Sequence, residues 1–427
     1  MSTPAASPLS PREYLRVLAI AALLGPPVAI LAAGLMAAIH GVTTLAWTDI
    51  PDAAGWSSPP AWYVLVVPVV GGAIVALALR MPGHGGHSAV GDLSMEPLPP
   101  LGLVSAMLAG LASLGLGLVL GPEAPLLALG LTAGLVAGKA LRAEESAAKL
   151  IVMAGAFASI STVFGGPLPS ALLLFELAAA HAVVPAAALG RALVPGFLAS
   201  GTAALMFTGV DDWPGVKETV LSLPPLPDYP TVQGVDVAWA VPVALVAGLV
   251  VAGARSGARR ASERTTLPPA LLLCGGGLAV GALAVAFREI TSQPVDLVLF
   301  SGETSLGTIL GETSAGVVVA LLIAKALGYA ISLAAGFRGG PTFPAVTLGV
   351  IVGVLGALVL PGLDLTPAVA VGLAAGAAAA LRLPIFGALL TALMMGSGAA
   401  QTVPIAVVGS VVGWLAAEAV NARASRR

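Results

Sequence analysis

Two acids stand where the chain is otherwise apolar, each in a segment broken by prolines. Glu123 lies between Pro122 and Pro125 in GPEAPLLALG, residues 121 to 130. An ionised carboxylate inside a bilayer costs roughly 2.5 to 3.5 kcal/mol on insertion scales, so such a residue is expected to handle charge, as a gate, a counter-ion or a proton acceptor. Glu176 closes the short segment FGGPLPSALLLFEL. Polar candidates of another kind, His84, His87 and Ser88, occupy the glycine-rich stretch MPGHGGHSAVGDLSMEPLPP. HExxH, GxSxG and paired membrane aspartates are all missing, so an intramembrane hydrolase and a protein-bound metal are not expected, nor is a cofactor. Cys274 is the only cysteine, which rules out an intrachain disulfide.

The segments that would position these residues recur. GPTFPAVTLG at 340 to 349 repeats the frame GPxxPxxxLG at an offset of 219 (340 − 121), this time without an acid. LRLPIFGALLTALM parallels FGGPLPSALLLFEL with Pro384 under Pro167, an offset of 217 (384 − 167). Two breaks in the same order at nearly constant spacing indicate a duplicated unit of about 200 residues. Each GPxxP reads as a helix break followed by a helix with proline in its first turn, where the missing N–H does no harm.

The chain is 58% hydrophobic and 9% charged, with a mean hydropathy of +1.00, values outside the range of a water-soluble domain. Long apolar runs rich in Ala, Leu, Val and Gly argue for an all-α polytopic membrane protein rather than a barrel. The opening residues are polar and no secretory signal is evident. A net charge of −2 points away from nucleic acid as a partner.

Positive residues set orientation. The amino-terminal arginines, the run ARSGARRASER after an expected helix at 237 to 254, and the carboxy-terminal arginines should share the cytoplasmic side of the cell (inner) membrane. The run itself reads as a solvated loop. The acidic segment 208 to 236 falls outside as an extracellular linker between a first half, 1 to 207, and a second, 237 to 427. The first long helix pair is joined by an acidic loop and its counterpart by the basic one, so the halves are inverted. Inverted repeats with discontinuous and re-entrant helices place a transporter's site near the bilayer midplane. Free N–H groups and the helix dipole make a helix start an anion site, and both GPxxP breaks put such a start in mid-membrane. A small anion is the expected cargo. Glu123 is then a tethered anion that occupies the site when cargo is absent; a plain helix cap is the structural alternative.

This arrangement resembles the CLC family of chloride channels and proton-coupled chloride antiporters across nearly the whole chain. VLGPEAP at 119 to 125 looks like the family's VLGREGP, RGGPTFP at 338 to 344 like its GGxFxP loop, and GGHSA at 85 to 89 stands in the place of GSGIP. The resemblance implies a CLC-like inverted repeat and a homodimer with one pore per subunit. Glu123 becomes the gate, with an anion bound by Gly121, Ala124, Gly340, Thr342, Phe343 and either His87 or Ser88. Glu123 and Glu176 form the expected proton pathway. Departures are evident: Pro122 and Ala124 alter the gating motif, Pro341 removes one N–H, His87 falls where the serine of GSGIP would, and Glu176 is followed by Leu177. The family's terminal pore tyrosine and its cytoplasmic nucleotide-binding module have no expected counterpart. Chloride or a similar monovalent anion, with protons as a possible second cargo, is the resulting expectation. A carrier for fluoride or nitrate and a cation-coupled solute transporter on another inverted-repeat fold are the rivals.

Overall fold

The computed structural model describes residues 9–91, 93–180, 186–206 and 223–425. Helix α1 (Pro11–Thr44) runs through a π-helical turn (Leu45–Asp49) into α2 (Ile50–Ala53). There follow α3 (Ala61–Ala78), α4 (Pro100–Gly115), α5 (Glu123–Ala140), α6 (Glu145–Val163), α7 (Pro167–Ala180) and α8 (Ala186–Leu205). The later helices are α9 (Gly234–Arg264), α10 (Pro269–Thr291), α11 (Leu306–Leu310), α12 (Ala315–Ala334), α13 (Thr342–Val359), α14 (Leu365–Leu381), α15 (Pro384–Met394) and α16 (Ala399–Ser425). Two 3-10 turns, Val295–Leu297 and Glu303–Ser305, precede α11. Among the described residues, eight helical stretches are long and apolar enough to cross a membrane. Helices α7 and α15 are apolar but short, about 16 to 21 Å at 1.5 Å per residue against a hydrocarbon core of about 30 Å. They are the two segments that begin at Pro167 and Pro384.

The helix starts at the repeated breaks are equivalent. Glu123 and Thr342 each occupy the first helical position, with Pro125 and Pro344 two residues further on. One sequence expectation is corrected. The basic run is not a loop: α9 continues to Arg264, and Arg259 Nε donates to Glu263 Oε1 at 2.9 Å one turn along. Alanine and arginine favour helix, so the charges end the hydrophobic stretch without ending the helix. Helix α4 stops at Gly115, and residues 116 to 120 leave the helix before the break.

The chain divides into two compact units that interleave in sequence, one built from Met1–Ala38, Met95–Val104 and Pro125–Val220, the other from Ile39–Ser94, Ser105–Ala124 and Leu221–Arg427. In the first unit α6 packs against α7 and α8. There Gly130 of α5 meets Gly155 of α6 so closely that an added Cβ on Gly130 would lie 2.3 Å from the Gly155 carbonyl oxygen, and one on Gly155 2.1 Å from that of Gly130. The second unit contains the same contact one repeat later. Added Cβ atoms on Gly349 of α13 and Gly372 of α14 would each lie 2.2 Å from the other's carbonyl oxygen. Close backbone approach of this kind is how helices associate where no hydrophobic effect drives them. Helix α14 is buried from Thr366 through Leu381 and gives α13 a rigid backing.

Candidate functional site

The two broken segments meet in the second unit. Gly121 and Gly340 form an antiparallel bridge, with the Gly121 amide donating to the Gly340 carbonyl at 2.8 Å and the Gly340 amide donating back at 2.5 Å. The pair places the starts of α5 and α13 side by side. Glu123 is fully buried, and its Oε1 accepts from the Thr342 amide at 2.5 Å and the Phe343 amide at 3.2 Å. These are two of the free N–H groups that any helix start leaves over. The carboxylate therefore stands where a small anion would bind, held by charge-assisted hydrogen bonds and the dipole of α13.

Both bridging glycines make room for it. A Cβ on Gly340 would lie 2.1 Å from Glu123 Oε2 and 2.3 Å from Cδ, and one on Gly121 would lie 2.0 Å from Oε2. No other residue type fits either position while the carboxylate is in place. Glu123 Oε2 is buried and accepts no hydrogen bond from a described group. The Thr342 hydroxyl lies beside the carboxylate, without hydrogen-bond geometry to it or to another described group. One oxygen is thus held by two amides and the other is only surrounded.

The frame around the bridge comes from polar groups inside apolar helices. Val119 N donates to Ser332 Oγ of α12 at 3.1 Å, and that hydroxyl donates to Gly328 O at 2.8 Å. Arg338 N donates to Ser113 Oγ at 3.0 Å, fixing the approach to the second break. Tyr329, fully buried on α12, donates its hydroxyl to Pro341 O at 3.0 Å. Lys325, one turn before it and equally buried, donates to the carbonyls of Leu297, Leu299 and Phe300 at 3.1, 2.8 and 3.0 Å. That side chain organises the segment leading to α11. Neither Tyr329 nor Lys325 is among the residues that the sequence singles out; a single lysine inside a 20-residue apolar helix is the available signal for the second.

The remaining candidates fall elsewhere. Ala124, half-buried, follows Glu123 in the first turn of α5. His87 is half-buried and Ser88 exposed, its Oγ accepting from Val90 N at 3.4 Å. Their glycine-rich loop contains no helix, and it is tied down where Arg338 Nη2 donates to His84 O at 3.1 Å and Gly85 N donates to Ser105 Oγ at 3.2 Å. Glu176 is half-buried on α7, in the other compact unit from Glu123. Among the described residues no group of His, Cys, Asp or Glu is arranged to hold a metal.

Fold and site together define a polytopic helical membrane protein in which one of two broken helices presents its first backbone amides to a buried acid at the start of the other. The chain belongs to the voltage gated chloride channel family, whose model matches residues 71–417. Among relatives, it is 27% identical over 322 residues to YfeO of Escherichia fergusonii, named as a putative ion-transport protein, covering 73% of this chain and 72% of that one. The fold is that of a slow cyanobacterial Cl−/H+ antiporter, with a TM-score of 0.76 and 20% identity over 98% of both chains. It is also that of a CLC-type fluoride/proton antiporter, with a TM-score of 0.70 and 16% identity over 96% of both.

Proposed function

We propose that this protein carries chloride or a similar small monovalent anion across the cell membrane, with Glu123 as the gate and protons as the counter-cargo. The observation that carries this reading is the seat of the Glu123 carboxylate on the Thr342 and Phe343 amides. An anion arriving at those amides must displace the carboxylate, and a proton taken up by the carboxylate weakens its hold on them. Gly121, Ala124, Gly340, Thr342 and Phe343 surround the anion in this reading, with His87 or Ser88 approaching from the glycine-rich loop. Glu176 receives protons on the other side. The protein acts as a homodimer in the inner membrane, both termini in the cytoplasm, and the solved antiporters of the same fold support a coupled mechanism.

The test is efflux from proteoliposomes loaded in turn with chloride, fluoride or nitrate, with internal pH recorded. Selective anion efflux with opposite proton movement is expected, and Glu176→Gln should reduce the proton component. Uptake driven by sodium with no anion dependence would instead identify a cation-coupled carrier.

A further inference from the structure

A second carboxyl closes on the helix that holds the gate. Glu303 lies in the 3-10 turn Glu303–Ser305, directly after Gly302, whose φ of +95° turns the chain sharply. A Cβ on Gly302 would lie 2.6 Å from Thr347 Cγ2 of α13 and 3.1 Å from Lys325 Nζ of α12. Thr347 itself donates to Ser301 O at 2.9 Å. Thr347 is one turn beyond Phe343, about 6 Å along the helix axis. Glu123 therefore sits on the first amides of α13, and the turn that carries Glu303 is anchored through Ser301 and Gly302 one turn further along the same helix. Both acids are carried by segments that pack on the first turns of α13.

Glu303 Oε2 is buried and meets no donor among the described residues. Two buried carboxyl oxygens, Glu123 Oε2 and Glu303 Oε2, are thus left without partners beside one helix. The residue is nevertheless only half-buried, and the next one, Thr304, is exposed. One side of the turn reaches the surface while the carboxyl points inward. The segment is also held still: Lys325 binds three carbonyls just before it, and Phe300 packs edge-on to Trp47 with ring centroids 5.7 Å apart. Since α9 ends in the basic, cytoplasmic run and α10 crosses back, this turn belongs to the extracellular side.

We infer that Glu303 is a proton relay between the external solution and Glu123. A proton from outside water binds the Glu303 carboxylate; its O–H bond then breaks as one forms on Glu123, directly or through one water, and the neutral Glu123 leaves the Thr342 and Phe343 amides to the anion. The charged and titratable groups facing this path are Glu123 from α5 and Lys325 and Tyr329 from α12, with Asp296 acting on Lys325 from the preceding turn and Arg255 acting on Tyr329 from α9. Helix α13 contributes only the hydroxyls of Thr342 and Thr347 and no charge. The inference rests on the coupled reading of the site.

Proteoliposomes carrying wild type, Glu303→Gln and Glu303→Asp, with anion efflux and proton movement recorded together at external pH 5 to 9, provide the test. Glu303→Gln is expected to cut proton movement at least tenfold and to flatten its dependence on external pH, with anion efflux falling several-fold less because an arriving anion can still displace the Glu123 carboxylate; Glu303→Asp should restore part of the proton movement. Unchanged proton movement in Glu303→Gln overturns the relay while leaving the gate intact. Equal loss of both fluxes also overturns it, because that is what a structural residue would give. Anion efflux without proton movement in wild type removes the coupled reading and the relay with it.

Discussion

Replacing Glu123 by Gln tests the gate with almost no change of shape. The wild-type Oε1 accepts two backbone N–H groups, at 2.5 and 3.2 Å, in a fully buried site. A hydrogen bond to a charged acceptor contributes about 1.5 to 3 kcal/mol and one between neutral groups about 0.5 to 1.5 kcal/mol, so the two bonds together weaken by about 2 to 3 kcal/mol. At about 1.4 kcal/mol per factor of ten, the side chain's hold on the amides drops roughly 30- to 150-fold. A competing anion gains by the same factor. Chloride titrations by calorimetry in detergent should show an apparent Kd lower in Glu123→Gln by that order. Efflux from proteoliposomes should rise or persist, with proton movement abolished and the pH dependence of anion flow flattened. An unchanged Kd together with a wild-type pH profile would refute the idea that carboxylate and cargo share one seat.

Three further substitutions probe the frame. Gly340→Ala puts a methyl 2.1 Å from Glu123 Oε2 and 2.7 Å from Oε1, so it should uncouple proton from anion movement; adding Glu123→Gln should then change little, and a wild-type coupling ratio in the single mutant would show that the carboxylate does not occupy the glycine niche. Lys325→Met leaves the carbonyls of Leu297, Leu299 and Phe300 without their donor, at about 1 to 3 kcal/mol for each buried acceptor, and should lower the melting temperature in detergent by several degrees; equal melting would remove the lysine from the scaffold. Tyr229→Phe removes the 2.7 Å hydrogen bond to the buried Asp236 at the start of α9, a loss of about 1 to 3 kcal/mol. Burial, and then the bond to Asp236, push the Tyr229 hydroxyl from 10.0 up to about 12. Its stabilising effect is therefore complete below pH 10 and lost as the pH rises towards 12, so the stability gap between wild type and mutant should close across that window; a gap that is constant with pH would contradict the assignment.

Much of the site is legible in sequence because its signals are local. Proline in a first turn, glycine before it and a lone acid in apolar sequence mark the start of α5 wherever that helix lies, and the repeat at an offset of 219 (340 − 121) marks its counterpart. Lys325 and Tyr329 are not legible as scaffold, since the carbonyls they bind belong to segments 12 to 28 residues away. The end of α9 escapes a reading that equates charge with loop, because arginine and alanine continue a helix readily into water.

Composition and period alone settle that this chain dissolves in a bilayer as helices, that it is built twice, and that each copy breaks at GPxxP, because these properties depend on side-chain transfer and backbone sterics within a few residues. Which amides receive Glu123, why a side chain on Gly121 or Gly340 would clash with the seated carboxylate, and the approach of the Glu303 turn to α13 depend on packing between residues distant in sequence, 220 positions for Glu123 and Phe343. Only the folded arrangement brings those groups together, and there the low dielectric strengthens the interaction of the Glu123 carboxylate with the α13 amides.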